Sequence, residues 1–335
     1  MFTADAAPRS GDDHHSSIET SHAFHSCIRF ARCAVSNLCK SILINMIQAT
    51  PGLPQPADGD PQTPANGQAN RPDGIDLTEI EFEVGDDHVA TITLNRPEAL
   101  NSFTDRSAAE ISWAWRTIRD TDQIHAVVLR ANGDRAFCTG ADVKAGTGWF
   151  FRSNIWNTFD PGVTLSPKLH HRCWKPVVTA VHGMAAGGAQ YFLNESDIVI
   201  CSTDAQFFDP HANGGIVSAL EPIGMLKRNV PLGDVLRWAL MGTEERITAD
   251  TALRMGLVTE VVERTRLHER AHAIAASIAA RNPIAIQGTV RAIWESMDMT
   301  RSMALQNGMA YTHIGNAPTE ERRAKPRRNE PPTFR

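Results

Sequence analysis

The residues of this chain best suited to chemistry lie in two glycine-centred runs. The first is Ala136-Phe137-Cys138-Thr139-Gly140-Ala141-Asp142-Val143-Lys144, just after an apolar strand expected at Ala126–Leu129. The second is His182-Gly183-Met184-Ala185-Ala186-Gly187-Gly188-Ala189, between a strand expected to end at Val181 and an expected helix. Small residues at a strand-to-helix turn let a ligand approach the backbone, and a helix N-terminus offers N–H donors without partners. Two such turns converging on one oxygen would stabilise negative charge developing there. Either run alone reads as an ordinary tight turn, because Gly-rich turns are common. Neither reads G-x-G-x-x-G and no early strand leads into one, which argues against a dinucleotide-binding oxidoreductase.

The elements that must position these runs are legible from periodicity. Ile80–Val84 and Val89–Leu94 alternate apolar and polar residues around Gly85-Asp86-Asp87, which predicts a hairpin. Thr104 reads as the N-cap of a helix with Ala108, Ile111, Trp115 and Ile118 on one face. Ala126–Leu129, Pro176–Val181 and Asp197–Cys201 read as short buried strands with helical patterns between the last of them, an α/β arrangement with right-handed crossovers. From Leu232 onward the pattern turns helical: Leu232–Met241, Thr248–Met255 (Thr248 as cap, Gly256 as stop), Leu267–Ala280 and Ile284–Met297.

Composition narrows the class. Of 335 residues, 42% are hydrophobic and 21% charged, with a net charge of -5, so there is no basic footprint for nucleic acid. The run Arg322, Arg323, Lys325, Arg327, Arg328 is broken by Pro326 and reads as a solvated tail over 319–335. Six cysteines form no C-x-x-C pair, which fits a reducing, cytoplasmic setting. The stretch Ile28–Ile47 carries Arg29, Arg32, Ser36, Asn37, Lys40 and Asn45, too many polar residues for a membrane span. Between Pro51 and Pro72 lie six prolines and almost no apolar residues, so 1–75 is expected to be a disordered or weakly ordered extension.

Taken together and in order, these segments resemble the enoyl-CoA hydratase/isomerase (crotonase) superfamily. Ile92-Thr93-Leu94-Asn95-Arg96-Pro97-Glu98-Ala99-Leu100-Asn101 is similar to its opening signature, and Ala136–Lys144 to its first oxyanion-hole segment. Lys175-Pro176-Val177-Val178 through Gly188 resembles the second. Asp197-Ile198-Val199-Ile200, Ala205-Gln206-Phe207 and Ala252 through Gly256-Leu257-Val258 resemble later segments, so that about 80–315 is covered. The resemblance implies a spiral of ββα units over 76–265 and a helical C-terminal trimerisation region over 266–318. It also implies a homotrimer or dimer of trimers, an acyl-CoA or enoyl-CoA substrate, and no cofactor beyond the coenzyme A of that substrate. Carried over by position, the donors of the oxyanion hole are the N–H groups of Ala141 and Gly188, beside Gly187. Asp142, Val143 and Lys144 lie along the coenzyme A path, with Lys144 able to meet a phosphate.

The resemblance also locates a departure. Hydratases of this family use two glutamates, and the matching positions here are Tyr191 and His211. Tyrosine is a poor base at neutral pH, whereas histidine titrates near ~6.5. His211 is therefore the expected proton-transfer residue, with Tyr191 as hydrogen-bond donor or pocket wall. Asp209 would share a face with His211 if the segment were extended around Pro210, and could orient the ring; otherwise it caps a turn. Glu221, ten residues on, is either a further acid or a residue of a helix surface, and Glu195 reads as structural. Trp149, Phe150, Phe151, Trp156 and Phe159 suggest an apolar acyl wall, or ordinary core. The expected function is an acyl-CoA enzyme that stabilises a thioester enolate. The alternative is a catalytically weak paralogue that binds acyl-CoA or serves as an oligomeric scaffold.

Overall fold

The computed structural model describes residues 76–145 and 161–314. The expectations for 1–75, for the aromatics between Trp149 and Phe159 and for the tail lie outside those residues. Strands β1 (Ile80–Val84) and β2 (Val89–Leu94) form the expected hairpin, in register from Ile80 opposite Leu94 to Val84 opposite Ala90. The turn closes through Gly85 N–H donating to the Val89 carbonyl at 2.9 Å. Helix α1 (Asp105–Asp120) starts at Thr104, whose hydroxyl accepts the Ser107 N–H while the Ser107 hydroxyl accepts the Thr104 N–H. This reciprocal cap satisfies donors that a helix start leaves open.

β3 (Ala126–Ala131) lies parallel to β2, and β4 (Ala136–Cys138) leaves the main sheet to found a second one. β5 (Val177–Val181) is parallel to β3; β6 (Met184–Ala186), a 3-10 turn at Gly187–Ala189 and the short helix α2 (Gln190–Asn194) follow. Next come β7 (Ile198–Ser202), β8 (Gln206–Phe208), α3 (Leu220–Lys227), α4 (Leu232–Met241) and β9 (Ile247–Thr248). α5 (Ala249–Arg254), capped by Thr248, and β10 (Glu260–Val262) complete the sheets. The main sheet has order β1-β2-β3-β5-β7-β10 and the second β4-β6-β8-β9. The second sheet was not anticipated; the helix expected between β5 and β7 is the five-residue α2, preceded by β6 and the 3-10 turn. Strands of two or three residues are too short to show a period.

Alternation along the strands fills two cores. Val127, Leu129, Val177 and Val181 face α1 and the second sheet, together with Ile111, Trp115 and Phe192. Ala126, Val128, Val178, Ala180 and Ile200 face the other way, against Leu267, Ala271, Ala275 and Ala279 of α6 (Leu267–Ala279). Each large apolar side chain buried in this way stabilises by about 1.5–3 kcal/mol before the cost of ordering.

Two further helices, α7 (Pro283–Ser296) and α8 (Arg301–Ile314), close the described chain. α7 is tied to the sheet by Trp294, whose indole N–H donates to Asp197 Oδ1 at 2.6 Å. Asp197 Oδ2 also takes the Val177 N–H at 2.6 Å and the buried Lys168 ammonium at 2.7 Å. Glu195 accepts the N–H groups of Lys168 and Leu169, the structural part expected of it. His182, between β5 and β6, is fully buried; burial, with Arg264 and His268 nearby, pushes its imidazole down to about 4. Among the described residues, no helix is long and apolar enough to cross a membrane.

Candidate active site

The two glycine runs meet. An added Cβ at Gly140 would lie 3.0 Å from the Gly188 nitrogen and 3.2 Å from the Ala186 carbonyl oxygen. Gly140 has φ +86, in the region that favours glycine, so both conformation and space exclude a side chain there. An added Cβ at Gly188 would fall 2.7 Å from Phe103 Cζ.

The first run presents its backbone by a device other than a helix start. Phe103 forms a parallel bridge with Ala141: the Phe103 N–H donates to the Gly140 carbonyl and the Asp142 N–H donates to the Phe103 carbonyl, both at 2.9 Å. A parallel bridge of this kind uses the groups on either side of Ala141, which turns the Ala141 N–H to the opposite side. In the second run, Gly188 lies in the first turn of the 3-10 segment that leads into α2, where N–H groups lack intrahelical acceptors.

His211 joins this cluster. An added Cβ at Gly187, which has φ +51, would lie 3.3 Å from Pro210 Cδ and 3.7 Å from His211 Cε1. The imidazole is therefore packed against the glycine that precedes Gly188. His211 Nδ1 lies 2.5 Å from Asp209 Oδ1, which also accepts the His211 N–H at 3.2 Å. Because a carboxylate can only accept, Nδ1 carries the proton and Nε2 is the nitrogen free to exchange one. Nε2 points toward Glu221, with Oε1 3.9 Å away. Asp209 and Glu221 are both buried. The hydrogen bond to Asp209 raises the His211 pKa above its ordinary value; burial opposes this and the Glu221 charge adds to it.

For Asp209 and Glu221 the sequence left alternatives open, and the structure shows which geometry each adopts. The segment is not extended around Pro210: His211 has φ -59 and ψ -46 and opens a 3-10 turn over Ala212–Gly214. Asp209 reaches the ring because the chain turns there, so capping the turn and holding the imidazole are one arrangement. Glu221 is not on an open helix surface; it sits in the first turn of α3 with its side chain toward His211.

The remaining candidates are placed as follows. Tyr191 is buried in the core with its ring against the turn at Gly162, where an added Cβ would come within 2.3 Å of Tyr191 Cδ1. Asp142 accepts the N–H groups of Lys144 and Ala145 and pairs with Arg96 at 3.1 Å, and these bonds hold its carboxyl below the usual range. Val143 and Lys144 are exposed. Among the described residues, no group of His, Cys, Asp and Glu is placed to hold a metal ion. Sequence reasoning gave no part to Phe103 or to Arg96. Their contacts with Ala141 and Asp142 span about forty residues of chain, and no local period signals such a pairing.

Comparison with known proteins places the chain in a family. Residues 85–320 match the family described as Enoyl-CoA hydratase/isomerase. The chain is 33% identical over 242 residues to (E)-benzylidenesuccinyl-CoA hydratase of Thauera aromatica, covering 70% of this chain and 88% of that one. It is 33% identical over 223 residues to short-chain-enoyl-CoA hydratase of Clostridium acetobutylicum, covering 65% and 82%. Among solved structures, an enoyl-CoA hydratase/isomerase from Mycobacterium paratuberculosis matches with TM-score 0.64 and 35% identity, over 71% of this chain and 90% of that one.

Proposed function

The chain belongs to the enoyl-CoA hydratase/isomerase family, and on that premise we propose that it adds water to, or removes it from, a coenzyme A thioester. In this reading the thioester oxygen accepts the N–H groups of Ala141 and Gly188, and His211 and Glu221 move the protons. The observation that carries it is the pair formed by His211 Nε2 and Glu221 Oε1, 3.9 Å apart, with the imidazole packed beside Gly187. One water can bridge two groups at that separation, with an ordinary hydrogen bond to each.

The chemistry balances without a redox partner. Glu221 takes a proton from water as its oxygen bonds to the β-carbon of an enoyl thioester. The carbon–carbon π electrons move toward the carbonyl, and negative charge collects on the thioester oxygen between the two N–H groups. His211, whose pKa the hydrogen bond to Asp209 raises, gives a proton to the α-carbon. A proton passing from Glu221 back to His211 resets the site. Losing one such N–H donor costs about 10²–10³ in turnover in comparable sites, and a general acid or base contributes roughly 10²–10⁴.

Tyr191 takes no proton in this scheme; its buried ring is wall. Lys144, exposed beyond Ala141, suits a coenzyme A phosphate, and Val143 the chain beside it. The assembly in this reading is a homotrimer or dimer of trimers, supported by the apolar residues Leu232, Leu236 and Leu240, which stand exposed at four-residue spacing on α4. A cytoplasmic setting belongs to this reading as well: among the described residues Cys138, Cys173 and Cys201 are buried and form no disulfide.

The test is a panel of enoyl-CoA thioesters assayed for hydration with the parent protein, His211→Gln and Glu221→Gln. Each variant should lose at least about 10²-fold in kcat while KM changes little. Parent-level hydration by either variant would remove that residue from the mechanism. No hydration by the parent of any thioester would overturn the reaction.

A further inference from the structure

Arg96 sits at the junction where the Ala141 segment is held, and its side chain contacts Ser102, Asp142 and Glu79 among the described residues. Its η1 nitrogen donates to the Ser102 carbonyl at 2.5 Å and its η2 nitrogen to Asp142 Oδ2 at 3.1 Å. Ser102 immediately precedes Phe103, and Asp142 immediately follows Ala141. One guanidinium therefore spans both strands of the bridge whose hydrogen bonds turn the Ala141 N–H away from Phe103.

The guanidinium is itself fixed. Its Nε faces Glu79 Oε1 at 3.4 Å, and Glu79 Oε2 receives the Thr104 hydroxyl at 2.5 Å and also the Ser107 hydroxyl. Those hydroxyls belong to the cap of α1, so the chain Glu79–Arg96–Asp142 links a helix start to the segment after Gly140. The backbone of Arg96 is tied down as well: its N–H donates to Asn101 Oδ1 at 2.9 Å and its carbonyl accepts the Asn101 N–H at 2.9 Å. On the far side, Asp142 Oδ1 fixes the turn through Lys144 and Ala145. Both side chains are less than one-fifth exposed, so the pair is only partly screened by water.

We infer that Arg96, with Asp142 as its partner, is a positioning residue that aims the Ala141 N–H at the substrate's carbonyl oxygen. A planar fork can hold the Ser102 carbonyl and the Asp142 carboxylate together; an ammonium cannot reproduce that geometry, and a methionine holds neither. The inference rests on the thioester reading above. It moves Asp142 from the coenzyme A path to the support of the hole.

The test reads the polarisation of the carbonyl directly. Infrared spectra of a bound acyl-CoA thioester would be recorded for the parent, Arg96→Met, Arg96→Lys and Asp142→Asn, together with kcat, KM and thermal midpoints. In the parent, the two N–H groups should lower the bound C=O stretching frequency relative to the free thioester. Arg96→Met and Asp142→Asn should lose part of that shift and up to about 10²-fold in kcat, with KM changed much less, as a misaimed donor predicts. Arg96→Lys should fall between them and the parent. Loss of midpoint with the carbonyl shift and kcat intact would overturn the inference and leave Arg96 as a stabilising residue only. Absence of any shift in the parent would instead overturn the thioester reading.

Discussion

A histidine between two carboxylates differs from a pair of glutamates in the pH range over which it can hold a proton to give. The ordinary imidazole releases its proton near ~6.5, and Asp209 raises that point for His211. In the proposed mechanism the protonated imidazole is the acid, so hydration should persist above the ordinary value and fall only as pH climbs through the raised one. Asp209→Asn keeps a hydrogen-bond acceptor at Nδ1 but removes the charge. The basic limb of the kcat/KM profile for hydration should therefore move to lower pH in that variant, and a limb that stayed in place would detach Asp209 from the titrating group. Residue type pointed to His211 as the titrating side chain, but the route by which Asp209 reaches it was not legible. The constraint imposed by a proline acts on the residue before it, here Asp209, and leaves the residue after it free to enter the helical region. His211 does so.

At the scale of elements, the site is made by backbones brought closer than side chains allow. Gly140, Gly187 and Gly188 each have neighbouring atoms where a Cβ would go, and the Gly188 contact is with a ring rather than a flexible chain end. Gly188→Ala should lower the thermal midpoint by the equivalent of about 1–3 kcal/mol, as overpacking does, and depress kcat as the Gly188 N–H shifts. Adding Phe103→Leu should recover part of the midpoint, because the ring is what the new methyl meets; no recovery would mean the strain lies in the backbone. The long elements were legible because they repeat a period: the hairpin, α1 behind Thr104, and the helices from Leu232 onward fall where alternation and capping put them. The second sheet was not, since β4, β6, β8 and β9 have two or three residues each and exist through partners far along the chain. That sheet nonetheless carries β4 and β6, from whose ends the two glycine runs extend.

For the whole molecule, the described fold is a sheet covered on one face by α6 and on the other by α1 and the second sheet, with α7 fastened through Trp294 and Asp197. Its durability carries a proton account set at His182, inside the core between β5 and β6. An unfolded chain would take up a proton there near ~6.5, whereas the folded one resists until about 4. Between those values the unfolded state binds more protons, so stability falls as pH drops through that window. The full effect is on the order of 3 kcal/mol, a large share of the margin of a typical domain. In denaturant titrations at a series of pH values, His182→Gln should flatten the decline between about pH 6.5 and 4, and an unchanged slope would assign the loss to other groups. The second glycine run thus opens on a group that favours neutral surroundings, so mild acid would loosen the scaffold beneath the site even while His211 itself still held its proton.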